Sequence, residues 1–224
     1  LIFINKMDRE NADFQRTMEQ VRFKFGAKCV PIQLPIGAQS DFQGLIDLLT
    51  MKSYLGAEMK EAEIPAALQK EADSLHEKLV EAIAETEDRL VEKYLGGETL
   101  TLEELGAALH QAVMSGKIVP VLVGSGLQII GITTLFDAIC SYLPSPKERD
   151  VAIAGAKEPL KSSPDGPLAA LVFKTSADPY VGKLTYFRVY TGTINSNSQV
   201  WNSTQGGAER IGQLLILRGK TQEP

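Results

Sequence analysis

Leu1-Ile2-Phe3-Ile4-Asn5-Lys6-Met7-Asp8 opens the chain, and the rest of the fold is read outward from it. Four apolar residues stop at once in polar ones, the pattern of a buried parallel strand delivering a loop. Residues 11 to 26 then read as a helix, with Phe14, Met18, Val21 and Phe25 recurring at the 3.6 period and Gly26 placed to end it. Cys29 to Ile36 is the next strand, and its prolines Pro31 and Pro35 put it at a sheet edge. A strand, helix, strand succession of this kind belongs to a parallel-sheet α/β domain.

One long helix is expected from about Ala66 to Leu95. Leu75, Leu79, Ile83, Leu90 and Tyr94 fall on an apolar face, opposite a carboxylate stripe of Glu77, Glu81, Glu85, Asp88 and Glu92. Thr101 and Glu104 form a capping box for a second helix that runs to Ser115-Gly116. Lys117 to Val123 is a further buried strand ending in Gly124-Ser125-Gly126, and a last helix, Thr133 to Leu143, stops at Pro144-Ser145-Pro146. Residues 147 to 165 read as a linker. Beyond them the period becomes two: Leu168 to Thr175, Gly182 to Asn195, Gln199 to Asn202 and Arg210 to Leu217 are expected strands of an all-β module, closing as a barrel. The chain lacks an initiator Met and starts within a strand, so it reads as a piece of something longer.

Charge is unevenly placed. Residues 51 to 104 hold six basic and fourteen acidic side chains, whereas residues 166 to 224 hold six basic and three acidic. The two regions suggest surfaces with different partners, although an acidic helix face is commonly only a solvated one. No apolar run approaches the roughly 18 residues of a membrane span, and the first residues lack the basic n-region and small-residue cleavage site of a signal peptide. Cys29 and Cys140 stand far apart with no metal-site spacing and are read as packing residues; His76 and His110 are scattered.

Chemistry concentrates in two loops. Asn5-Lys6-Met7-Asp8 is an N-K-x-D sequence at the carboxyl end of a parallel strand, where open α/β sheets bind ligands. A carboxylate at Asp8 can accept from both N1-H and the exocyclic amine of guanine, an edge that adenine does not present. Asn5 can bond a ring nitrogen or tie the loop together, and the Lys6 stem can lie along the base. Gly124-Ser125-Gly126 ends the later strand in the position of a second base loop, whose backbone N-H meets the guanine carbonyl. Alone it would be an ordinary turn; paired with residues 5 to 8 it points to the same ligand. The spacing of Gly124, Gly126 and Gly131 is not a dinucleotide fingerprint, and no G-x-x-x-x-G-K-[ST] phosphate loop occurs in the sequence.

These blocks resemble translation elongation factor G. The resemblance runs through Asn5-Lys6-Met7-Asp8-Arg9, Gln33-Leu34-Pro35-Ile36-Gly37, Glu92-Lys93-Tyr94-Leu95-Gly96-Gly97, Val123-Gly124-Ser125, Tyr142-Leu143-Pro144-Ser145-Pro146 and Asp178-Pro179-Tyr180-Val181-Gly182-Lys183-Leu184. It implies a multidomain α/β plus β chain. Residues 1–30 and 117–146 would be parts of a P-loop GTPase domain, 31–116 a helical α/β insertion, and 166–224 part of a translation-factor β-barrel. It further implies GTP or GDP bound at Asn5, Lys6, Met7, Asp8, Ser125, Gly126 and Leu127, with Mg²⁺ held by family parts outside this sequence and no catalytic residue within it. The implied setting is cytoplasmic and monomeric, on the ribosome, with rRNA and the stalk protein as partners, the latter at Glu81, Glu85 and Asp88, and with no membrane and no DNA. The implied activity is GTP hydrolysis coupled to movement of tRNA and mRNA. Gly126 stands where the family usually has Ala, and Leu127-Gln128-Ile129-Ile130 replaces a basic stretch. With Arg218 to Gln222, these features are closer to elongation-factor-G-like paralogues used in ribosome recycling or protection. A fragment acting only by binding protein or RNA is the reading of a different class.

Overall fold

The computed structural model describes residues 1–148, 159–178, 182–219 and 221–223. Most of the expected linker, the Pro179-Tyr180-Val181 part of the family block, and Lys220 lie outside the described residues. The chain divides into two compact units, Leu1–Leu143 and Pro144–Pro224.

In the first unit, β1 (Ile2–Ile4), β7 (Val119–Val123) and β2 (Cys29–Pro31) form a parallel sheet with β7 in the centre. Ile2, Phe3 and Ile4 pair with Val121, Leu122 and Val123, so β1 and β7 end side by side at the carboxyl end of the sheet. The helix α1 (Phe14–Phe25) starts where the Asp13 carboxylate accepts from Arg16 N at 2.9 Å and ends at Gly26, whose φ of 94° suits glycine. Phe14 and Met18 are buried as the period requires, but Phe25 is exposed, because the last turn runs past the edge of the core.

The expected strand from Cys29 to Ile36 is two strands. Beyond Pro31 the chain leaves the parallel sheet, and β3 (Gln33–Ile36) joins a second, antiparallel sheet in the order β3-β4-β5-β6. β4 (Gly44–Asp47), β5 (Lys52–Leu55) and β6 (Lys60–Ala62) have no counterpart in the sequence reading. They are three or four residues long, too short to show a period, and their connections rest on local geometry. Asp47 accepts from Leu49 N and Thr50 N at 2.9 and 2.8 Å, an Asx-type turn that brings β5 back along β4.

The long helix is also two. α2 (Ala66–Ala84) and α3 (Asp88–Leu95) are separated by Glu85 to Glu87, although no Gly or Pro marks the break. Thr86 supplies it: its hydroxyl donates to Ile83 O at 2.7 Å, Lys117 Nζ donates to Thr86 O at 2.8 Å, and Glu87 takes extended backbone angles. The helical phase therefore resets. Leu79, Ile83 and Leu90 are buried as expected, but Tyr94 is 38% exposed. Glu81, Glu85 and Asp88 are all exposed, yet they do not lie along one helix stripe: Glu81 is in α2, Glu85 caps it, and Asp88 begins α3. There Asp88 faces the positive end of the helix dipole, a role that needs no partner.

The capping box ahead of α4 (Leu102–Met114) forms as read, with Glu104 N donating to Thr101 Oγ1 at 3.2 Å and Thr101 N donating to Glu104 Oε2 at 3.0 Å. Lys93 Nζ and Arg89 Nη1 also donate to Glu104, at 2.9 and 3.1 Å. The backbone bond from Thr101, then Lys93 and Arg89, hold its pKa down to about 2. Leu79 and Ile83 of α2 and Leu105 and Leu109 of α4 are buried in one core with Leu45 and Ile46 of β4, Leu48 just beyond it, and Val121, Leu122 and Val123 of β7. Each such side chain contributes about 1.5 to 3 kcal/mol when fully buried. α5 (Ile132–Tyr142) completes the unit. Cys29 packs in the core, but Cys140, on α5, is exposed and does not.

In the second unit, β8 (Ala169–Asp178) pairs with β9 (Gly182–Thr191), β10 (Gln199–Asn202) with β11 (Gly207–Arg210), and β12 (Ile216–Arg218) with β13 (Thr221–Glu223). All three ladders are antiparallel. The run from Arg210 to Leu217 is not one strand, since Arg210 closes β11 and Leu217 lies in β12.

Candidate guanine-reading site

The site follows from the ends of β1 and β7. Parallel neighbours deliver their loops to the same side, and here the two loops are tied by backbone. Gly124 N donates to Ile4 O at 3.0 Å, and Met7 N donates to Gly124 O at 3.2 Å. Gly124 has to be glycine: a Cβ there would stand 2.5 Å from Ile130 O and 2.7 Å from the Phe3 ring. Gly126 is open by comparison, its nearest neighbour being Asn5 Oδ1 at 3.6 Å, so an alanine fits.

Of the two roles open to Asn5, the structure shows the tie. Its Oδ1 accepts from Lys6 N at 2.8 Å and from Gly126 N at 2.9 Å, joining loops 121 residues apart. Lys6 is exposed and turns the chain at φ 65°. Met7 is only 1% exposed, so its side chain plugs the core beneath the loop, and its carbonyl accepts from Gln39 N at 2.8 Å. Asp8 is half-buried, and its Oδ1 is a buried oxygen with no hydrogen-bond partner. Orphan buried acceptors are rare and costly, of the order of 1 to 3 kcal/mol or more for a charged group. A ligand that brings donors removes that cost.

In the second loop Ser125 is fully buried. Its N-H donates to Ile130 O at 2.9 Å and its hydroxyl accepts from Gln128 N at 3.1 Å, so it shapes the loop rather than facing outward. With Gly126 N-H engaged by Asn5, the Leu127 N-H is left without a protein acceptor among the described residues, beneath a side chain that is 77% exposed. The first loop thus holds an unpaired carboxylate oxygen and the second an unpaired backbone N-H. Guanine carries groups that match both, two adjacent donors followed by a carbonyl. Among the described residues no group of three or more His, Cys, Asp or Glu side chains is placed to hold a metal ion.

Several residues that shape the site were not legible beforehand. Gln39 and Gln33 reach the loops from the antiparallel sheet and its turn, and Met59 Sδ accepts from Gly131 N at 3.3 Å behind the second loop. The positive φ of Gln39 (57°) and Met59 (51°) marks both as turn positions, which the sequence does not announce.

Residues 1–145 match the family model described as elongation factor Tu GTP binding domain, and residues 167–224 match that of elongation factor G domain 2. A crystal structure of a protein from Thermus thermophilus superposes with a TM-score of 0.81 at 33% identity, over 99% of this chain. The chain spans 31% of that protein's length.

Proposed function

Because this chain belongs to the elongation factor G family, with a partial P-loop GTPase domain followed by part of a translation-factor β domain, we propose that it supplies the base-reading half of a ribosomal GTPase. The observation that carries the proposal is the orphan Asp8 Oδ1 beside two loops tied through Asn5. In the proposal, Asp8 reads the two donors of guanine, the Leu127 backbone N-H reads its carbonyl, and Asn5, by holding Gly126 N-H, keeps the two halves in register. Residues 31–116 are proposed as the insertion within the GTPase domain. GTP supplies the driving reaction, and Mg²⁺ and the phosphates are held by parts of the family outside these residues. The whole protein is proposed to work in the cytoplasm on the ribosome, coupling hydrolysis to movement of tRNA and mRNA. No helix among the described residues is long and apolar enough to cross a membrane.

Residues 1–224 alone are then expected to bind GTP and GDP weakly and not to hydrolyse GTP, since phosphate contacts and the metal supply most of the affinity and chemistry in such sites. Calorimetry on this segment should show no binding tighter than about millimolar; micromolar binding would overturn the division of labour.

Glu81, Glu85 and Asp88 are proposed as a contact for a basic partner, the ribosomal stalk protein. Exposed contacts of this kind act mainly on association rate and weaken with salt. Changing all three to Lys is expected to slow stalk-dependent recruitment at low salt with the circular dichroism unchanged. A wild-type rate would leave them as solvated surface.

A further inference from the structure

The central strand β7 is paired on both sides, but its partner on one side runs out just before the second loop. Cys29, Val30 and Pro31 pair with Val119, Pro120 and Val121, and Ile32 N still donates to Val121 O at 3.0 Å. In a continuing parallel ladder the Ile32 carbonyl would next take the Val123 N-H. Here that carbonyl accepts instead from Leu48 N at 3.0 Å, where the chain turns into the antiparallel sheet. Val123 N is nonetheless satisfied: it donates to the side-chain Oε1 of Gln33, at 3.2 Å. Gln33 is 2% exposed, a buried amide in the first position of β3. Its side chain therefore continues the ladder by one bond after the strand has departed.

The position of that bond matters. Val123 is the last residue of β7, and the next residue is Gly124, whose N-H donates to Ile4 O at the end of β1 and whose C=O accepts from Met7 N in the first loop. On its other side Val123 is in register with Ile4, from which Asn5 to Asp8 follow. We propose that Gln33 is a positioning residue of the base site, holding the end of β7 from outside so that Gly124 to Leu127 stay in register with Asn5 to Asp8. It touches no part of the base itself. The proposal rests on the reading of these loops as a guanine site.

The test uses the full-length protein and fluorescent GDP. Gln33→Met keeps the length and removes the acceptor. It is expected to speed GDP release by about fivefold to tenfold, the equivalent of one buried hydrogen bond. Backbone amide exchange should rise in the peptide covering residues 121–127. Because only the base loop is loosened, the preference for GDP over ADP falls by the same factor, whereas a purely structural role would lower thermal stability and leave that preference untouched. Should Gln33→Met not fold, Gln33→Asn, which retains an amide too short to reach Val123, is expected to show the same faster release. Release and preference at wild-type values in the folded variant would overturn the positioning role. Wild-type protein that bound GDP and ADP alike would instead remove the guanine site, a different result that the same assay separates.

Discussion

Replacing Asp8 by Asn in the full-length protein is expected to lower affinity for GTP by at least about 100-fold, because two hydrogen bonds to a charged acceptor are lost at roughly 1.5 to 3 kcal/mol each. The same change should raise affinity for xanthine nucleotides, since the Asn amide offers a donor where xanthine carries a carbonyl in place of the amine. The structure gives the reason for so large an effect at one residue. Asp8 Oδ1 has no partner among the described residues, so nothing there competes with a base that reaches the carboxylate. A site built to satisfy a polar group discriminates strongly against ligands that leave it unpaired. Competition binding with GTP and XTP checks the expectation, and unchanged selectivity would remove Asp8 from the site.

Gly124→Ala is expected to disturb the site almost as much without touching any ligand-facing side chain. The added Cβ would meet Ile130 O at 2.5 Å and the Phe3 ring at 2.7 Å. The Ile130 carbonyl is not free to withdraw, because it accepts from Ser125 N at 2.9 Å. Overpacking of this kind costs about 1 to 3 kcal/mol, taken here by opening the 124–130 loop. GDP release should become about 10 to 100 times faster, on the scale of 1.4 kcal/mol per factor of ten. Gly126→Ala is the matched control: with 3.6 Å to its nearest neighbour, it should release GDP within about twofold of wild type. Stopped-flow release measures both. Equal rates for the two variants would mean that the loop is not held as the structure shows.

What was legible in the sequence is what local chemistry dictates. Gly26 ends α1, and the Thr101–Glu104 box starts α4, because caps need only neighbouring residues, although the Asp13 cap that moves the start of α1 from residue 11 to Phe14 was not read. The loops after β1 and β7 were legible because a buried apolar run followed by a polar loop is visible without knowing the partner strand. The break at Thr86 was not legible, since it depends on Lys117 reaching Thr86 O from 31 residues away. Nor was the departure of the chain at Ile32, which is decided by Leu48 N taking its carbonyl. β4 to β6 were missed because strands of three or four residues are specified by their pairing and by turns at Asp47 and Met59, not by their own pattern. In the site, the residue types of Asn5 and Asp8 suggested a ligand class, but Asn5 as a tie, Met7 as a core plug and Ser125 as a loop former all depend on which atoms lie opposite.

If two loops tied through Asn5 read the donor edge of guanine, the base alone should decide which nucleotide displaces fluorescent GDP from the full-length protein. GDP, IDP, XDP and ADP, compared under the same conditions, separate the contributions. Only GDP carries both donors for Asp8; IDP lacks the amine, XDP replaces it by a carbonyl, and ADP reverses the remaining edge. GDP is expected to be the strongest competitor, IDP weaker by about tenfold or more for the lost charged hydrogen bond, and XDP and ADP weaker still. IDP or ADP competing as well as GDP would show that these loops do not read the base.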